Sequence, residues 1–295
     1  MNAIALDIII PVKDRGTVLR CVSTLLEQIE AAQGIGLGKI LLCDGGSEEA
    51  SCQQQLHQVS RFQAVEILQR PHPGFNKGWL LNQALAATTA SVILISDVDI
   101  LWPGETLKLL GTAAARRSDC FFCVQSVKET QANTVAVQRP RYTYRVTRSQ
   151  TESRVEVYTE LPTIDRRPGY GLLCGQRDLF QRVGGYRHCF QGWGWEDRDL
   201  LLRSQLLGVD VAELGTVTHL SHGDDRRNAF TPDSTPQQSR DRNIRRCLQG
   251  LAQGKLLGDW PQPDDSGDAC CSVDSGSSPP LKIAWQPFDC PIPQS

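Results

Sequence analysis

The chain has 295 residues with 31 basic and 33 acidic side chains, a formal net charge of −2 at pH 7, which argues against a nucleic-acid protein because those carry a marked basic excess. It is long enough for one large domain or two modest ones with ample core. No apolar run reaches membrane-spanning length, and Met1 leads almost at once into Ala5–Val12, whose Asp7 and Pro11 do not suit the apolar stretch of a secretory signal.

In chain order, short apolar strands alternate with helical patterns through the first half. The strands expected are Leu6–Val12, Lys39–Cys43, Ala64–Leu68 and Ser91–Ser96, and the helices Thr17–Ala32, Glu48–Ser60 and Gly78–Ala87. Such alternation argues for an α/β protein with a mostly parallel central sheet flanked by helices. Ligands in such sheets bind beyond the carboxyl ends of the strands, where Pro11, Asp44 and Asp97 fall. No glycine-rich dinucleotide fingerprint is present, which excludes NAD as the expected ligand. Further on, Cys120–Val127, Arg154–Glu160 and Val209–Leu214 read as strands, and Asp178–Val183, Glu196–Leu207 and Gln237–Gln253 as helices. Between them lie an arginine- and tyrosine-rich stretch, Arg139–Arg148, and the glycine-rich Gly169–Gly175. From Trp260 the composition turns to Pro, Ser, Asp and Gly, so residues 259–295 are expected to be a tail, largely disordered or docked on the surface. The eleven cysteines are odd in number and scattered; several sit in apolar runs (Cys43, Cys123, Cys174). Buried free thiols in a reducing compartment, hence a cytoplasmic protein, are the simpler account. Cys120-Phe-Phe-Cys123 has zinc-like spacing without a matching pair, and Cys270, Cys271 and Cys290 fall in the tail.

Four segments carry candidate chemistry. Ser91–Asp99 is an apolar strand ending in Asp97 and Asp99. Residues two apart on a strand point the same way, so if the extended backbone continues both carboxylates face one ligand, and a hard divalent cation needs such oxygens. The plainer alternative is a pair of aspartates capping a turn. Gly192-Trp-Gly-Trp-Glu-Asp-Arg-Asp199 offers Trp193 and Trp195 as flat faces for a sugar ring. Glu196 and Asp197 follow at a helix start, where the dipole favours the anion and a carboxylate can serve as a base to an alcohol; core tryptophans and an ordinary helix start are the alternative. His219-Leu-Ser-His222 places two imidazoles where they can meet one metal ion, or it is a surface pair near Asp224 and Asp225. Arg70–Gly78, with Arg70, Asn76 and Lys77, is a loop before a helix that offers cations and backbone donors to phosphate, or is simply solvated.

Together, Pro11-Val12, Asp44-Gly-Gly-Ser, Gly74-Phe-Asn-Lys-Gly, Asp97-Val-Asp99 and Gly192–Asp197 resemble the GT-A glycosyltransferases: the family 2 bacterial enzymes and the beta-1,4-galactosyltransferase group, including chondroitin-polymerase-type modules. The resemblance covers roughly Ala5 to Arg227. It implies a GT-A fold in one domain, 1–258, with a nucleotide-binding half (1–117) and an acceptor-binding half (118–258). It implies an inverting, metal-dependent transfer of a hexose or N-acetylhexosamine from a UDP-sugar to a glycan hydroxyl, as in polysaccharide biosynthesis, with Mn2+ or Mg2+. The donor would lie on Pro11, Val12, Arg15, Asp44, Arg70, Asn76, Lys77, Asp97 and Val98, with Asp44 at the uracil and Asp97 at the ribose or metal. Asp99 would be a metal ligand, His219 and His222 would fall on the family's Met-x-x-His ligand pair, and Asp197 would fall on the catalytic base. Trp193, Trp195 and Glu196 would meet the acceptor. Trp195 departs from the family pattern by replacing a glycine.

Two rivals remain on the residues alone. A sugar nucleotidyltransferase would normally carry a glycine-rich basic loop after its first strand, whereas Pro11-Val-Lys-Asp-Arg15 is followed only by Gly16; pyrophosphate release would identify it. A lectin-like protein would use the tryptophans without the nucleotide-facing residues, and its sugar binding would ignore UDP and metal. The arginines between Arg139 and Arg167 are a solvated face or a receiver for an acidic acceptor.

Overall fold

The structure, a computed structural model, describes residues 3–131, 141–160, 167–223, 229–230, 235–260 and 281–285. Strand β1 (Ile4–Val12) is buried along nearly its whole length, as a near-continuous apolar run should be when helices cover both faces of a parallel sheet. It lies between β2 (Ile35–Asp44) and β4 (Val92–Ile95), parallel to both, and β3 (Val65–Gln69) extends the parallel half. Helices α1 (Val18–Ala31), α2 (Ala50–Val59) and α3 (Lys77–Ala87) make the crossovers. These seven elements match the expected alternation within a few residues.

The second half completes an eight-stranded sheet in the order β3-β2-β1-β4-β9-β6-β10-β5. Here β6 is Cys120–Glu129, β9 Arg167–Gln176 and β10 Asp210–His219, with β5 a two-residue strand, Ile100–Leu101. Strand β9 is antiparallel to both β4 and β6, β10 runs parallel to β6, and β5 antiparallel to β10. The glycine-rich stretch is therefore a central strand. Its glycines allow close approach: a Cβ on Gly175 would lie 2.6 Å from the Phe121 ring, and one on Gly171 would lie 2.5 Å from the Asp197 carboxylate.

Residues 104–116 carry no element expected from the sequence but form α4, which buries Leu107, Leu110 and Ala114 at helical spacing. Helices α5 (Arg177–Arg182), α6 (Glu196–Leu206) and α7 (Pro236–Ala252) match their expected positions. A smaller sheet joins β7 (Arg141–Arg148), β8 (Ser153–Glu160) and β11 (Leu281–Trp285).

Two parts of the expected tail are built into the fold. Trp260 is buried against Phe180, Val183 and Tyr186, and its N–H donates to the Gly184 carbonyl at 2.8 Å. Strand β11 pairs in parallel with β8. The polar composition around these short apolar stretches hides them, because an added strand borrows its partner and its core from elsewhere in the chain. Cys270, Cys271 and Cys290 lie outside the described residues. Cys43, Cys123 and Cys174 are buried free thiols, and Cys120 and Cys123 are likewise buried in β6. Among the described residues no helix is long and apolar enough to cross a membrane.

Candidate active site

Helix α6 fixes one wall of the site, and buried charges set its position. Asp199 accepts from Arg203 Nε at 2.8 Å and pairs with Arg187, while the other Arg203 nitrogens donate to the carbonyls of Val183, Gly185 and Leu256. A buried ion cluster of this kind is kept only with its hydrogen bonds satisfied. It locks the first turn of α6, with Glu196 and Asp197, against the Gly184–Arg187 turn.

Above the strand ends lies a cavity of about 300 Å³, at the small end of the range for ligand pockets. Of the residues singled out in the sequence, Pro11, Arg15, Lys77, Asp97, Val98 and Asp99 line it from one half. Trp193, Trp195, Glu196, Asp197, His219 and His222 line it from the other. Four are not among its lining residues. Val12 is fully buried in the core. Asp44 accepts from both the backbone and the hydroxyl of Ser47, at 2.9 and 2.7 Å. Asn76 caps α3 and donates to the His188 carbonyl, and Arg70 donates to the Gln69 carbonyl.

Asp97 and Asp99 have different side-chain partners. Strand β4 ends at Ile95 and the backbone turns at Val98-Asp99 to enter β5. That strand pairs Ile100 with His219, which carries Asp99 to the histidines and leaves Asp97 facing Lys77. The Asp99 carboxylate lies 3.5 Å from His219 Nε2 and 3.3 Å from His222 Nε2. One donor atom from each of these residues falls within 4.8 Å of the other two. His219 Nδ1 meets Glu129 at 2.5 Å, and Glu129 also accepts from Arg167 and Ser221. Burial would raise these carboxyls. The hydrogen bonds to His219 nevertheless hold Glu129 down at about 2, and those from both imidazoles hold Asp99 far below the usual carboxylate range. For His219 burial favours the neutral ring, but Asp99 and Glu129 outweigh it and raise its pKa. A pocket that draws a proton onto an imidazole this way also suits a cation, and a carboxylate on Nδ1 leaves Nε2 as the ligand atom.

Lys77 joins the two halves. Its Nζ lies 3.0 Å from Asp97 Oδ1, 3.0 Å from Asp197 Oδ2 and 3.9 Å from Glu196 Oε1. Burial opposes the ammonium, but the three carboxylates overcome it and hold its pKa well above the ordinary lysine value. Burial and the charge of Asp197 push Glu196 up to about 7, and burial raises Asp197 against the pull of Lys77. Asp197 Oδ1 and Glu196 Oε2 are buried with no hydrogen-bond partner among the described residues.

The tryptophans divide. Trp193 is exposed, with 38 % of its surface in solvent. Trp195 is buried and packs with Leu202, Ile244 and Leu251, so its ring serves mainly as core. Trp195 is the N-cap of α6 at φ +80°. It has thus taken a left-handed position that glycine adopts without cost. Three participants escape sequence reasoning. Glu129 is in register with His219 only once β6 and β10 pair. Lys13 pins the loop before α3 by donating to the carbonyls of His72 and Gly74. Arg198 lines the cavity beside Tyr170.

The strand order and the metal-type cluster beyond the strand ends define a GT-A glycosyltransferase fold. The family model for glycosyl transferase family 2 matches residues 7–176, more than half of the chain, and the chain belongs to that family. A second model, described as the N-terminal domain of galactosyltransferase, matches residues 163–223, which include β9, Asp197 and both histidines. The structure of GalNAc-T7 with UDP, GalNAc and Mn2+ is similar at a TM-score of 0.60 and 13% identity, over 84% of this chain and 48% of that one. This chain thus spans about half the length of that protein. The mannosyltransferase PcManGT from Pyrobaculum calidifontis is similar at 0.49 and 15% identity, over 85% of this chain and 71% of that one. Glucosyl-3-phosphoglycerate synthase from Mycobacterium tuberculosis is similar at 0.49 and 15%, over 82% and 78%. No curated protein sequence matches.

Proposed function

We propose that the protein is a metal-dependent, inverting glycosyltransferase that moves a hexose or N-acetylhexosamine from a UDP-sugar to a hydroxyl of a glycan or related acceptor. The observation that carries this reading is the convergence of Asp99, His219 and His222 on one point in the cavity that Asp197 also lines. Two imidazole nitrogens and a carboxylate oxygen fit Mn2+ better than Mg2+, which prefers oxygen alone. Such an ion would supply Lewis-acid neutralisation of the departing diphosphate. The GalNAc-T7 neighbour was solved with UDP and Mn2+; at its low identity it supports the fold, and the ligand assignment rests on the residues.

In this reading residues 1–117 receive the nucleotide and residues 118–258 the acceptor. Pro11, Arg15, Asp97 and Val98 face the donor at the strand ends, with Asp44 at the base end. Lys77 holds Asp197 by Oδ2 and leaves Oδ1 without a partner. That free oxygen accepts the proton of the acceptor hydroxyl as the oxygen attacks the anomeric carbon from the face opposite UDP. The chain contributes mainly position and fixed charge.

The test is UDP release from a panel of UDP-sugars with Mn2+, with and without glycan acceptors. Asp197→Asn should lower transfer by a factor of at least about 10² and leave UDP binding within twofold. Full activity of the variant, or loss of its UDP binding, would reject the base assignment.

A further inference from the structure

Arg198 follows Asp197 directly on the first turn of α6 and lines the cavity. Its guanidinium carbon lies 4.7 Å from the ring centre of Tyr170 and 5.5 Å from that of Trp195. These aromatic faces steady the cation and give no hydrogen bond to its N–H groups. Its Nε is closed to solvent and has no hydrogen-bond partner among the described residues; the carboxylates of Asp197 and Glu196 act on it through their charge, without a hydrogen bond to that Nε. Arg198 is half-buried, and the buried arginines contrast with it. Arg203 and Arg187 spend their donors on Asp199 and on backbone carbonyls. A guanidinium carries five donors in a planar fork and keeps its charge in proteins, and leaving a buried N–H such as the Arg198 Nε unpaired is costly. A bound anion would remove that cost. Arg141, Arg167 and Arg240 line the same cavity. They add positive potential, although Arg167 is paired with Glu129, Arg240 with Asp241, and Arg141 is engaged as well.

We infer that Arg198 is the acceptor-recognition residue of this site, and that the accepting sugar carries an anionic group, a carboxylate or a phosphate, close to the hydroxyl that reacts. The inference rests on the glycosyltransferase reading above. The acceptor side is favoured because Arg198 adjoins the base on α6, while the metal-type cluster that would hold the donor diphosphate is built by β5 and β10. A two-oxygen face of carboxylate or phosphate fits the guanidinium fork. Tyr170 stands beside it, and the exposed Trp193 lines the same cavity; both offer a face for the ring of the same sugar.

The protein loaded with Mn2+ and UDP is titrated calorimetrically with glucuronate, with glucose 6-phosphate and with glucose. At least one anionic sugar should bind ten-fold or more tightly than glucose, and which of the two does so identifies the anion. Arg198→Gln should erase the difference, and Arg198→Lys should keep part of it, because charge remains while the fork is lost. UDP binding should stay within twofold in both variants, which also reports that they fold. Equal affinity for glucose, binding of none of the three sugars, or an anion preference that survives in Arg198→Gln overturns the inference. If UDP and Mn2+ fail to bind the unmodified protein, the glycosyltransferase reading falls as well; if they bind and the preference is absent, only the role of Arg198 falls.

Discussion

Lys77 sets the charge state of the site. One ammonium serves Asp97, Asp197 and Glu196, so the cluster holds more negative than positive charge. Burial and mutual repulsion keep a proton on the Glu196–Asp197 pair, with Glu196 raised to about 7. The base works only when Asp197 is ionised and undisturbed. Transfer, followed as kcat/KM, should therefore rise with pH through about 7. The sign for stability is opposite. Between the ordinary glutamate value of 4.5 and about 7 the folded state binds more protons than the unfolded chain. Folding stability contributed by Glu196 thus falls as pH rises through that window. Thermal melts of Glu196→Gln beside the parent should show this falling component removed. A flat rate profile from pH 6 to 8 would contradict the assignment.

At the scale of elements, the start of α6 shows what was legible and what was not. The acidic pair after Gly-Trp-Gly-Trp marks a helix start in the sequence, and α6 begins at Glu196. The parallel half was legible because its strands bury both faces and their apolar runs show it. The turn after β4 was not: alternation on a strand suggests that Asp97 and Asp99 face together, but pairing of β5 with β10 separates them. That pairing joins Ile100 to His219, 119 residues on, and Glu129 meets His219 across 90 residues; no local pattern encodes either. Strand β9 was hidden because its glycines, needed where Phe121 and Asp197 press on the backbone, depress strand propensity. For Trp195 the sequence leaves a sugar face and a core position both open, because composition does not distinguish a tryptophan in the core from one on a wall; the ring packs in the core and also lines the cavity. Its left-handed backbone costs about 1–3 kcal/mol, whereas emptying its core position costs about 3–5 kcal/mol. Burial wins, so Trp195→Gly should lower stability by about 2 kcal/mol in urea unfolding despite relief at the backbone. A variant more stable than the parent would show that strain dominates.

Across the whole molecule, late parts of the chain support an early-built site. Trp260 closes over the Gly184–Tyr186 turn, and that turn takes the Arg203 donors that anchor α6. Strand β11 completes the small sheet beneath Tyr142 and Tyr144. Trp260→Ala should therefore cost about 3–5 kcal/mol; a melting temperature unchanged from the parent would remove Trp260 from the core. The site as a whole stands on the meeting of the two halves, with β5 from the first and β10 from the second holding Asp99 beside His219. The most direct test is calorimetric titration of UDP with and without Mn2+, on the unmodified protein and on His222→Ala. UDP should bind at least ten-fold more tightly with Mn2+, and His222→Ala should lose most of that gain. Equal affinity with and without the ion, or a gain that His222→Ala retains in full, would contradict the metal assignment.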